Sequence, residues 1–186
     1  VLIEQKLQKD MLYLACRHHI FELLIGAAFE STLGASSGPE VKLFKLFKDH
    51  WGFIDKANFQ AADSDDIARD AIADIRSEIL EFALSQPRDD YRELLEFSVI
   101  FAGGVPLTGV TFMAPGAMHH ARWMAKILYS IKIWMFRGQF KLTAREQTGL
   151  RDIAIFVVRL YLKAWITAPS VIDAQYNDIQ LMTSLI

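Results

Sequence analysis

Between residues 5 and 30 the apolar positions Leu7, Met11, Leu14, Ala15, Ile20, Leu23, Leu24 and Ala27 recur at mixed steps of three and four. That period predicts one long, largely buried helix. Gly34 and the run Ser36 to Pro39 close it. A short amphipathic segment follows, VKLFKLFKDHW, in which Val41, Leu43, Phe44, Leu46, Phe47 and Trp51 alternate with Lys42, Lys45 and Lys48. The acids Asp63, Asp65 and Asp66 then supply a cap and first-turn charge for a helix running to about Leu84. Its expected buried stripe is Ile67, Ala71, Ile75, Ile79 and Phe82.

Pro87, Asp89 and Asp90 open the next predicted helix, and Gly103 and Gly104 end it after LLEFSVIFA. Val105 to Gly116 mixes β-branched residues with proline and glycine, which reads as a loop with room for a short strand. Pro115 starts a helix through AMHHARWMAKILYSIKIWMF to Gly138. Thr143 and Glu146 stand at capping-box spacing and open a helix through Trp165, which Pro169 stops. A last turn or helix covers Asn177 to Leu185. The predicted fold class is mainly α.

Composition narrows the function classes. With 186 residues, 52% hydrophobic, the chain has enough apolar material for a large core. Lys132, Arg159 and Lys163 interrupt the apolar runs, so no segment approaches the roughly 20 apolar residues of a membrane span. No membrane partner is expected. The charged start VLIEQKLQKD lacks the apolar core of a signal peptide. One cysteine excludes an internal disulfide and suits a nuclear or cytoplasmic setting. A net charge of -2 gives no global footprint for nucleic acid, which leaves a local basic face as the route to it. The chain begins at Val1 and ends at TSLI, and reads as a piece of something longer.

Two constellations carry candidate chemistry. Cys16 and His19 stand three apart on one helical face, and His18 and Glu22 stand four apart on an adjacent one. The bland account is a small buried cysteine beside hydrogen-bonded histidines. Zinc ligation would need Cys16 and His19 to meet His119 and His120 from a distant helix. General acid–base work by His18 with Glu22 would need a cleft. The acids Asp49, Asp55, Asp63, Asp65 and Asp66 read as capping and surface charge rather than metal ligands.

The second constellation is PGAMHHARWMAK, residues 115 to 126. His119, Arg122 and Lys126 fall on one face near a helix start, where backbone donors and positive side chains favour phosphate. Trp123 is placed either to stack on an unpaired base or to join the core beside Met124, Ile127 and Leu128. Lys132, Arg137, Lys141 and Arg145 beyond it read as a solvated surface.

A Cys-x-x-His (Cys16, His19) followed well downstream by an Arg-Trp pair (Arg122, Trp123) resembles the eukaryotic cut-and-paste DNA transposases of the hAT type and proteins derived from them. The resemblance implies an RNase H-like core interrupted by a helical insertion, with residues 1–116 as a helical part of that core and 117–186 as the start of the insertion. It implies a DNA partner, an oligomeric assembly, and Mg2+ or Mn2+ held by carboxylates of the parent protein outside this stretch, so that no catalytic residue, metal ligand or cofactor is expected in the chain itself. A helical protein-interaction module is the competing expectation, through the aromatic-rich segment 127–165. A small metal-dependent enzyme built on the histidine pairs is the third.

Overall fold

The computed structural model describes residues 2–10, 16–34, 41–82, 89–116 and 122–185. Those residues are mainly helical, and no strand forms among them, so the loop at 105–116 carries none. The helices are α1 (Leu2–Leu7), α2 (Arg17–Leu33), α3 (Lys42–His50), α4 (Asp66–Ile72), α5 (Arg76–Phe82), α6 (Asp89–Phe101), α7 (Arg122–Met135), α8 (Ala144–Phe156), α9 (Leu162–Thr167) and α10 (Ala174–Ser184).

The central element is α7. Residues 129–136 are buried without a break, as in a helix surrounded by others rather than lying on a surface. It packs on α6, α8 and α2. Phe44 of α3 completes the enclosure, with its ring 5.1 Å from Tyr129 and 5.9 Å from Phe29 of α2. Each such fully buried aromatic contributes on the order of 2–3 kcal/mol of transfer free energy, and Phe44, Phe47, Phe97, Phe101, Trp134 and Phe136 are all buried.

Local signals in the chain set several of the ends. Asp65 accepts a hydrogen bond from the Ala68 amide at 2.9 Å and caps α4. Thr143 and Glu146 form a complete capping box at the start of α8. Gly103, at φ +80°, turns the chain out of α6 in a conformation that side chains rarely adopt.

Two sequence expectations fail for identifiable reasons, and a third holds with a local change. The single helix over 5–30 is not formed: α1 ends at Leu7, Gln8 takes a left-handed φ of +47°, and α2 begins only at Arg17. Met11, Leu14 and Ala15 lie outside the described residues. The helix from Asp66 divides at residues 73–75, where the Ala71 carbonyl accepts from Arg159 instead of from the Ile75 amide, which turns to Ile72. Asp74, exposed by the break, forms a two-point ion pair with the same guanidinium. The inward stripe of α4 is therefore Ala68 and Ile72, and Ile67 is exposed. The expected helix from Thr143 through Trp165 forms, running from Ala144 to Thr167 with a π-helical turn at Val157–Tyr161, the turn that carries Arg159.

Candidate nucleic-acid interface

Arg17, His18 and His19 diverge from the first turn of α2. Arg17 reaches across the molecule, donating to Asp178 Oδ1 at 3.0 and 2.7 Å and to the Ala168 carbonyl at 3.0 Å, and so fastens the start of α2 to the turn before α10. His18 meets the Trp165 ring edge-on at 4.6 Å between centres. Neither is available to a ligand as a free cation. Cys16 is exposed as the residue before α2, and His19 is exposed with its Nδ1 3.8 Å from Glu22. The expectation of a core-facing Cys16 and His19 is thus corrected: the phase of α2 is set by Phe21, Ile25 and Phe29, which turns positions 16 and 19 outward.

Lys126 meets α2 at Phe29, its Nζ 5.1 Å from the ring centre, whereas Cys16 precedes the far end of that helix, about 20 Å away at 1.5 Å per residue. His119 and His120 lie outside the described residues, as do the side chains of Arg122 and Trp123. No group of three or more histidine, cysteine or carboxylate side chains is arranged for a metal among the described residues.

Lys126 does not face solvent. It is 7% exposed, and burial lowers its pKa while the charge of Glu30 works against that shift. Lys132 and Arg137, read as solvated surface, are also drawn inward. Lys132 is 3% exposed, pairs with Glu93 at 2.9 Å, donates to the Met113 carbonyl at 3.0 Å, and stands 4.7 Å over the Phe97 ring. A cleft of about 350 Å³ opens beside this pair, lined by Met113, Pro115, Met124, Leu128 and Tyr129. Arg137 lies flat on Trp134 at 3.7 Å and donates to the Ser64 hydroxyl. Of the aromatics in the segment 127–165, Tyr129, Trp134, Phe136 and Tyr161 are buried in the chain's own core, and Phe140, Phe156 and Trp165 are half-buried against it.

Charge is sorted across the surface. Arg69, Arg76, Arg159 and Lys163 each hold a carboxylate of the chain in an ion pair. Lys42, Lys45, Lys48, Lys141 and Arg145 are exposed and pair with no carboxylate among the described residues. The three lysines stand at successive i, i+3 positions of α3, whose opposite side is anchored by Phe44 and Phe47. Lys141 emerges beside this helix, because the preceding Phe140 packs on Phe47 and His50. Glu146, the nearest acid to Arg145 in sequence, is occupied by the Thr143 amide and hydroxyl. These cations are what the sequence left hidden: the alternation of lysine and phenylalanine was visible, but not that Arg69, Arg76, Arg159 and Lys163 are neutralised by carboxylates of the chain, whereas Lys6 and Lys9 near the start are exposed and, among the described residues, unpaired as well.

No protein-family model, curated protein or solved structure matches this chain.

Proposed function

We propose that the chain is a DNA-engaging helical module of transposase type, which contributes a binding surface rather than reacting groups. The observation that carries this reading is the row Lys42, Lys45 and Lys48 on α3, with Lys141 beside it, exposed and unpaired among the described residues of a chain whose net charge is -2. Such a surface matches the phosphate backbone, which is recognised by charge and spacing without base readout. The motif residues Cys16, His19, Arg122 and Trp123 support the transposase type by resemblance only. Phosphate contact is assigned here to α3, not to Lys126, whose ammonium is enclosed by the core.

Fluorescence anisotropy of the chain with labelled duplex DNA, repeated from about 50 to 200 mM salt, tests the proposal. Binding that weakens steeply with salt is expected, because each neutralised phosphate adds about 0.9 to the slope of log K against log salt. Absence of binding at the lowest salt, or binding indifferent to salt, overturns it.

A further inference from the structure

The cleft beside Lys132 has tethered walls. The loop at 105–116 is tied to α7 at two points: the Lys132 ammonium donates to the Met113 carbonyl at 3.0 Å, and the Tyr129 hydroxyl donates to the Gly116 carbonyl at 2.9 Å. Ala125, Leu128 and Lys132 line the cleft from α7, at steps of three and four that place them on one side of the helix. The space, about 350 Å³, falls within the range of small-molecule sites, roughly 300–1,000 Å³. Its lining side chains are apolar apart from the Tyr129 hydroxyl, already spent on Gly116, and the Glu93–Lys132 pair. Glu93 is three-quarters buried there: its Oε1 takes the ammonium at 2.9 Å, and its Oε2 accepts no hydrogen bond among the described residues. A carboxylate oxygen so placed calls for a donor.

We infer that this cleft binds a small uncharged aromatic compound carrying one hydroxyl or N–H group, with the ring against Met113 and Met124 and the donor on Glu93 Oε2. Charge selects the first property: Glu93 and Lys132 cancel, so an anion would meet the carboxylate while the ammonium is already committed to two acceptors, and a cation would meet the ammonium. The thioethers of Met113 and Met124 select the second, because sulfur is polarizable and packs favourably against aromatic rings. The open oxygen of Glu93 selects the third, since an ionised carboxylate only accepts. The inference goes beyond DNA binding and does not depend on it.

The probe is β-naphthol, compared with its methyl ether, which lacks the donor, and with β-naphthoate, which adds an anion to the same ring. Isothermal titration at neutral pH should give β-naphthol a dissociation constant of about 0.1 mM or lower, as small well-fitted ligands reach. The ether and the naphthoate should each bind about tenfold more weakly. In methyl-labelled methionine NMR, β-naphthol should move the Met113 and Met124 signals and leave Met182 of α10 in place. Ala125→Trp fills the cleft from α7 and should weaken β-naphthol at least tenfold with an unchanged circular dichroism spectrum. Glu93→Gln can turn its carbonyl to Lys132 and its N–H to the cleft, so the order of β-naphthol and its ether should reverse; a purely structural role for Glu93 would lower both affinities together. No binding of β-naphthol at about 1 mM overturns the inference. So do equal affinities for hydroxyl and ether, shifts confined to other methionines, undiminished binding in folded Ala125→Trp, or an unchanged probe order in Glu93→Gln.

Discussion

Lys132 and Glu93, 39 positions apart in sequence, form an ion pair at 2.9 Å in which the lysine side chain is 3% exposed and the glutamate 25%. This is the place where α6 and α7 exchange charge rather than apolar contact. Removing one partner leaves the other without compensation, and the lysine is the more deeply buried of the two. Glu93→Ala should therefore cost about 3 kcal/mol in urea denaturation, because an ammonium would be stranded beside Phe97. Lys132→Met should cost much less, and Glu93→Ala combined with Lys132→Met should recover most of the loss. A Glu93→Ala variant as stable as the parent chain would mean that the ammonium reaches water by another route.

The same burial sets an alkaline pH dependence. Desolvation holds the Lys132 and Lys126 pKa values below the ordinary lysine value of 10.5, and it raises Tyr129 above the ordinary 10.0. In the window below 10.5 the unfolded chain binds more lysine protons than the folded one, so this contribution to stability rises with pH. Tyr129 acts in the opposite sense: above 10.0 the folded phenol keeps a proton that the unfolded chain releases, and stability falls with further increase. Denaturation at closely spaced pH values should show Lys132→Met reducing the rise and Tyr129→Phe reducing the fall. A Lys132→Met profile superimposable on that of the parent chain would contradict the lysine assignment.

What the sequence made legible was local. Asp65 and the Thr143–Glu146 pair could be read as caps because cap and partner lie within three residues and the chemistry is complete between them. The main helices from α2 onward could be read because their apolar periods are long. Lys132 could not, since a lysine in an apolar run reads as an interruption until Glu93 and the Met113 carbonyl are known to stand beside it. The break between α4 and α5 was hidden for the same reason, because its cause, Arg159, arrives from 88 residues away. At the candidate interface the three lysines of α3 were visible, but their significance depends on which carboxylates the arginines and Lys163 have taken up. Cys16 and His19 were misread because a helical period fixes which residues share a face, not which face is turned inward.

Gly149 of α8 faces the last turn of α2 with no room for a side chain. A methyl group there would come within 2.5 Å of Leu33 Cδ2 and 3.2 Å of the Thr32 carbonyl oxygen. Helix propensity alone favours alanine over glycine by about 1 kcal/mol. Leu33 can give way only in part, and the Thr32 carbonyl belongs to the backbone of α2, so crowding should prevail. Gly149→Ala is expected to destabilise the chain by about 1–2 kcal/mol, read as a lower thermal midpoint. A higher midpoint would show that α2 and α8 can separate without loss.

The choice between α3 and the start of α7 as the phosphate-contacting surface can be settled by comparing what each set of substitutions does to salt dependence and to folding. Lys42, Lys45 and Lys48 are exposed and unpaired among the described residues, so replacing all three with alanine should change stability little. If each contacts a phosphate, the triple variant should lose close to three contacts, flattening the slope of log K against log salt by about 2.7. Lys126→Ala should behave in the opposite way. Its ammonium stands over Phe29 inside the molecule, so the variant should lower the thermal midpoint and leave the salt slope of the folded protein unchanged. Arg122→Ala tests the motif directly: a slope reduced by about one contact would add the start of α7 to the interface. Duplex binding with an undiminished salt slope in the α3 triple variant would remove α3 from the DNA surface, and with it the observation on which the proposed function rests.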